Sequence, residues 1–123
     1  MTDKSLNRVK GAEGENEAVD FLQSKGYRIL ERNWVSGKLE VDLIAADKNH
    51  IVFVEVKKRF SKQFREPWEA VNRKKQQHIM RAANYYLKKS DTPLEPRFDI
   101  ISIIQNGNKT EIEHIEQAFW PMA

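Results

Sequence analysis

The chain has 123 residues, 40% hydrophobic and 32% charged, with a net charge of +3 and no cysteine. That length fits one domain over 1–123, and the apolar content with charge of both signs does not describe a disordered segment. Disulfides and thiolate metal sites are excluded, the first ten residues lack the apolar stretch of a leader, and no run approaches the roughly 18 apolar residues of a membrane span; a cytoplasmic protein off the membrane, with a flexible lead at 1–9, is expected.

The first periodic segment predicts a helix over 10–25, with Gly11, Ala18, Val19 and Leu22 on one face, Phe21 at its edge and Gly26 as cap. Glu13 and Glu17 project away from that stripe. Glu15 falls inside it, where a lone glutamate loses hydration without compensation unless the helix frays there or a basic residue pairs with it. Residues 27–35 read as a strand, 36–38 as a turn, and 39–46 as a second strand. On that strand Leu39, Val41, Leu43 and Ala45 share one face, and Glu40, Asp42, Ile44 and Ala46 the other. The turn 47–49 leads into a third strand, 51–57, and the polar stretch 59–67 reads as a loop. A second helix is predicted from Trp68 to about Lys89, with Pro67 in its first turn. Val71, Lys75, His78, Ile79, Ala82, Tyr86 and Leu87 form its stripe, and Asp91-Thr92-Pro93 ends it. A strand over 97–105, an Asn106-Gly107 hairpin and a strand over 109–115 complete the order α-β-β-β-α-β-β. The fold class is therefore α/β, a central mixed sheet flanked by helices, and the crossover implies a parallel pair.

Charge is uneven along this order. Residues 57–89 hold eleven lysines and arginines against two acids, so they carry +9; with the whole chain at +3, the remainder carries −6. Such a segment suits a polyanion, although a solvated lysine-rich helix face reads the same way. Lys58 and Arg59 follow the third strand directly and are candidates for phosphate contact, with Lys62, Arg65, Arg73, Lys74 and Lys75 beyond them. Lys75 also lies within the apolar stripe, so it either snorkels to solvent or reaches an adjacent site.

The apolar strand Ile51-Val52-Phe53-Val54 ends in Glu55-Val56-Lys57, with Asp42 thirteen residues before Glu55. Glu55 and Lys57, two apart on a strand, share a face, and buried charges need partners or a metal. If that face lies under the first helix, Glu15, Asp42 and Glu55 converge. Three carboxylates without histidine or cysteine make a hard oxygen site suited to Mg²⁺ or Mn²⁺ and unsuited to zinc. A nearby Lys57 would orient or deprotonate a water, or offset charge on a scissile phosphate. Glu40, beside Asp42, reads as a supporting residue or as a solvated acid. His78, Tyr85, Tyr86 and the tryptophans Trp34, Trp68 and Trp120 read as packing residues, and Asp99 as a structural hydrogen-bonding group.

The stretch from Asp42 to Glu55-Val56-Lys57 resembles the core of the PD-(D/E)XK nucleases, whose restriction-endonuclease-like fold shares this element order. Lys10-Gly11-Ala12-Glu13-Gly14-Glu15, Val41-Asp42-Leu43-Ile44-Ala45 and Val54-Glu55-Val56-Lys57 are similar to the archaeal Holliday-junction resolvases. A closer resemblance is to the YraN-like family of bacterial proteins, mostly uncharacterised and classed with endonucleases. It rests on Gly14-Glu15, Gly26-Tyr27, Asn33-Trp34, Glu40 to Ala45, Phe53 to Arg59, Pro67 to Val71, Lys75-Gln76, Ala82-Ala83, Tyr86-Leu87 and Arg97 to Ile101. The resemblance implies a DNA endonuclease acting on branched or duplex DNA. Its metal-binding acids would be Glu15, Asp42 and Glu55, with the Val56 carbonyl as a further ligand and Lys57 as catalytic lysine. Two positions depart from the family: Leu39 replaces a glycine, and Phe64-Arg65 replaces Phe-Gly. Val41 stands for the proline of the superfamily's name. A DNA-binding accessory protein with little cleavage, and an RNA-directed nuclease, are the other readings. Junction resolvases act as pairs because two strands are cut, which implies a homodimer, with Phe119 and Trp120 as apolar candidates for its interface.

Overall fold

The computed structural model describes residues 14–60 and 71–119. Lead residues 1–9, the expected helix start at 10–13, Lys62, the Phe64-Arg65 departure, Pro67, Trp68 and Trp120 lie outside them. Helix α1 spans 14–24 among the described residues. It is followed by β1 (Arg28–Ser36), β2 (Leu39–Ala46), β3 (His50–Phe60), α2 (Arg73–Ser90), β4 (Glu95–Asn106) and β5 (Lys109–Phe119). The five strands form one sheet in chain order. β1–β2, β2–β3 and β4–β5 are antiparallel, and β3–β4 is the expected parallel pair.

Local chemistry sets the element ends. Gly26 adopts φ +94, a left-handed conformation that glycine reaches without a Cβ clash. There Tyr27 N–H donates to Leu22 O and Gly26 N–H to Gln23 O, both at 3.0 Å, the paired bonds of a Schellman cap. The Asn72 side chain accepts from Lys75 N–H, so α2 begins at Arg73 and not at the expected Trp68. Asp91, in the left-handed region at φ 49, ends it where the Asp91-Thr92-Pro93 breaker was read. β3 runs on to Phe60 and pairs with β4 as far as Gln105, so Arg59 and Phe60 are strand and not loop.

Two apolar layers sandwich the sheet. On one side Ala18 and Leu22 of α1 pack with Leu43, Ala45, Val52, Val54, Ile101 and Ile103. On the other, Ile79, Ala82 and Ala83 of α2 pack with Val41, Ile44, Ile51, Phe53, Phe98 and Ile100. The simple alternation expected for β2 fails at Asp42, because Val41 joins the α2 layer with Ile44 while Leu43 and Ala45 join the α1 layer. At that point β2 leaves β3: their ladder runs only from Leu43↔Val54 to Ala46↔Ile51. Trp34 packs edge-on against Tyr86 at 5.3 Å, as a core residue should. Phe119, expected at an exposed interface, is instead 6% exposed and stacks on Phe98. Among the described residues no helix is long and apolar enough to cross a membrane.

Candidate active site

The site sits where β2 and β3 part. Beyond Leu43↔Val54 the Val56 N–H has no β2 carbonyl opposite it in the ladder. It donates instead to Asp42 Oδ2 at 2.9 Å, which fixes that carboxylate in the gap. Glu55 follows Ile51 and Phe53 in strand alternation and therefore lies on the α2 face, so the condition set for its convergence with Glu15, a face under α1, is not met. It is 4% exposed. Lys57 Nζ lies 3.6 Å and Lys75 Nζ 3.7 Å from the same oxygen, Glu55 Oε1. Lys75 thus reaches the site from the helix on that face, the second of the two placements its position in the stripe allowed.

These separations are too long for good charge-assisted hydrogen bonds, which run nearer about 2.8 Å. The carboxylates show the deficit. Burial, then the neighbouring Asp42 charge, push Glu55 up to about 7, against the pull of Lys75 and Lys57. Burial also raises Asp42, opposed by the Val56 N–H and by Lys75.

Glu15 approaches from α1 on the other side of the sheet. Gly14, just before it, lets the helix come close to β3, because a Cβ there would sit 3.1 Å from Lys58 Cβ. Glu15 Oε2 accepts from Asn33 Nδ2 at 2.7 Å. Partial burial raises its pKa, the Asn33 bond opposes this, and the Asp42 charge adds to it. Glu15 thus feels Asp42, yet among the described residues no three acids or imidazoles group tightly enough to form a ready-made metal cluster. Glu40 is exposed and acts on both Glu15 and Asp42 through its charge.

The expected phosphate contacts divide. Lys58 Nζ pairs with Glu17 and is largely buried, so it ties α1 to β3 and does not point outward. Arg59, Arg73 and Lys74 are exposed, while Lys62 and Arg65 lie outside the described residues. Asn33 is the residue at this site that sequence reasoning did not single out for a role. Its φ of +50 is an uncommon backbone for a non-glycine residue, and asparagine is among the few that tolerate it.

A second polar cluster, also missed except for Asp99, lies on the α1 face. Asp99 is fully buried and takes bonds from Arg97 Nε and Nη2, from Gln117 N–H, and from His114 Nε2 at 2.7 Å. Lys25 Nζ lies 3.0 Å from His114 Nδ1. An ammonium only donates, so Nδ1 accepts and Nε2 carries the proton given to Asp99. Arg97 Nη2 also donates to the Tyr27 hydroxyl at 2.5 Å. Burial alone would raise Asp99, but the bonds from His114 and Arg97 hold it below the usual carboxylate value. The Arg97-x-Asp99 spacing on one strand face was the only local sign of this cluster.

Sequence comparison finds relatives along almost the whole length. The model of the uncharacterised protein family UPF0102 matches residues 14–103. A UPF0102 protein of Caldanaerobacter subterraneus is 47% identical over 121 residues, covering 94% of this chain and 99% of that one. One of Flavobacterium psychrophilum is 46% identical, covering 89% and 92%, and one of Phocaeicola vulgatus is 43% identical, covering 90% and 92%.

Proposed function

The chain belongs to the uncharacterised protein family UPF0102, and from that premise we propose that it is a metal-dependent endonuclease of the PD-(D/E)XK type that hydrolyses DNA phosphodiester bonds, at branched or duplex DNA. The observation that carries the reading is the crowding of Asp42 and Glu55 at the β2–β3 divergence with two lysines on one Glu55 oxygen. A structural role alone would favour pairing them closely or replacing them with apolar residues.

The donor set fits a hard divalent cation, Mg²⁺ or Mn²⁺. Asp42, Glu55 and the Val56 carbonyl are all oxygen, and the residual repulsion between the carboxylates is what a cation relieves. Asp42 and Glu55 would hold it, with Glu15 contributing from the α1 side. Bound there, the ion would activate a water and neutralise charge on the phosphate. Hydrolysis adds the oxygen of one water to phosphorus and breaks one backbone P–O bond, with a proton passing to the departing oxygen. Lys57 would orient that water, and Lys75 would oppose charge gathering on the phosphate oxygens. Exposed Arg59, Arg73 and Lys74 would take neighbouring phosphates.

One observation favours a second reading, a nucleic-acid-binding accessory protein with the same fold and little cleavage: Glu15 is bonded to Asn33 and does not close a three-acid cluster. The deciding experiment incubates the full chain with duplex, single-stranded, flap and four-way-junction DNA in Mg²⁺ or Mn²⁺, beside Asp42→Asn and Lys57→Ala. The nuclease reading expects wild-type cleavage and a loss of at least about 10²-fold in either variant, the scale of a lost acid–base or electrostatic group. Binding without cleavage by all three proteins across the panel supports the accessory reading.

A further inference from the structure

We infer that the outward face of α2 is a docking surface for the phosphate backbone of the DNA that flanks the Asp42–Glu55 site; the inference rests on the nucleic-acid reading above and adds to it the direction and length of substrate that the protein grips.

Helix α2 contains six lysines and arginines and no acid. Lys75 turns inward to Glu55, whereas Arg73, Lys74, Arg81, Lys88 and Lys89 are exposed, and among the described residues no ion pair engages any of the five. Lys74, Arg81 and Lys88 recur every seven residues, two helical turns, and so share one outer face. Tyr85, 53% exposed, lies between Arg81 and Lys88 and offers an aromatic surface to a sugar or base. Arg73 and Lys74 stand in the first turn, which itself holds no acid, at the positive end of the helix dipole. That placement disfavours the isolated helix, and a polyanion relieves it.

The opposite flank carries the other sign. Edge strand β5 exposes Glu111, Glu113 and Glu116, so a polyanion is steered toward α2 and away from β5. Length follows from the helix. Lys88 is thirteen residues beyond Lys75, about 20 Å at a rise of 1.5 Å per residue. That spans roughly six base pairs of B-form DNA at about 3.4 Å each. A duplex arm shorter than that reaches the site without reaching the end of the track.

The test is fluorescence anisotropy of the full chain in EDTA with duplexes of about 5 and about 20 base pairs, bracketing that span. Wild type is compared with Arg81→Glu/Lys88→Glu and with the milder Arg81→Gln/Lys88→Gln, whose changes lie on the exposed face. For the long duplex the charge-reversed variant is expected to lose about tenfold in affinity, and its log affinity–log salt slope to shrink by about two. The neutral variant should lie between, and the short duplex, whose span of about 17 Å reaches Arg81 but not Lys88, should show about half that change in slope. Equal binding by all proteins at both lengths overturns the inference, as would occur if the face serves an acidic protein. Equal loss at both lengths overturns it too, since that reports net charge and not a track. Because EDTA suppresses cleavage, a failed nuclease reading leaves this readout intact, and intact cleavage with length-independent binding defeats the docking surface alone.

Discussion

Glu55 on β3 and Asp99 on β4 sit one register step apart in the same parallel ladder, both nearly excluded from water, yet their surroundings are opposite. Asp99 faces α1 and is saturated by donors from Arg97, His114 and Gln117 at 2.7–3.2 Å. Glu55 faces α2, has another carboxylate near it, and meets its two lysines only at 3.6 and 3.7 Å. Their pKa values move apart accordingly, Asp99 down and Glu55 up. A carboxylate whose valences are filled holds a fold together. One left charged, buried and loosely paired is poised to take up a cation or a proton, and its residual field is useful only if something arrives. The same sheet thus carries a finished cluster and an unfinished one, and the unfinished one is where the proposed chemistry would sit.

The contrast predicts opposite responses to neutralisation. Asp99→Ala strands Arg97, itself only 9% exposed, and deprives His114 of its acceptor. Removing one partner of a buried ion pair costs about 3–5 kcal/mol, so urea unfolding should show a loss of that size. A loss under about 1 kcal/mol, within the range of ordinary substitutions, would show the cluster to be ornamental. Glu55→Gln should instead stabilise. Glu55 rises from 4.5 to about 7 on folding, so the unfolded chain releases its proton first. Stability therefore falls as pH rises from about 4.5 to about 7 and is flat above. At pH 4 wild type and Glu55→Gln should be alike, and by pH 8 the variant should be more stable by up to about 3 kcal/mol, at about 1.4 kcal/mol per pKa unit. A variant less stable than wild type at pH 8 would mean that the lysines already satisfy Glu55. Asp99 has the reverse slope: its contribution is present above its unfolded value of 3.8 and disappears on acidification below it.

The finished cluster and the unfinished one were unequally legible. Asp42 and Glu55 could be paired because a hairpin of known spacing joins them, and a charged end on an apolar strand is a local conflict. The Asp99 cluster draws on Tyr27, Arg97, His114 and Gln117, which only the folded sheet brings together, and no pattern in the chain links β1's approach to β5. The strands themselves were readable because alternation and turn glycines such as Gly37 and Gly107, both with positive φ, act within a few residues. Reading failed where a local rule was overruled from outside. Alternation along β2 breaks at Asp42 because β3 leaves it there. α2 starts at Arg73, five residues after the expected Trp68, because Pro67 suggested a first turn there and the cap at Asn72 went unread. The convergence of Glu55 with Glu15 was conditional on its face lying under α1, since nothing in a single strand says which helix covers which side.

Asn33 offers the smallest effect and the sharpest separation of strain from positioning. Its side chain holds Glu15 at 2.7 Å, and its backbone sits at φ +50. Asn33→Gly keeps the backbone at ease and removes only the donor; Asn33→Asp tolerates the backbone but sets a second carboxylate against Glu15. If Asn33 serves the backbone alone, glycine should equal or exceed asparagine in both stability and cleavage. If it positions Glu15 for the site, stability should change by about 1 kcal/mol or less in Asn33→Gly, while cleavage falls by about 10-fold, the low end for groups that orient a metal's ligands. Asn33→Asp should fall further still, because repulsion replaces a bond. Thermal midpoints and single-turnover cleavage rates of the three proteins give the order, and only asparagine above glycine above aspartate in cleavage extends the unfinished cluster across the sheet to Glu15.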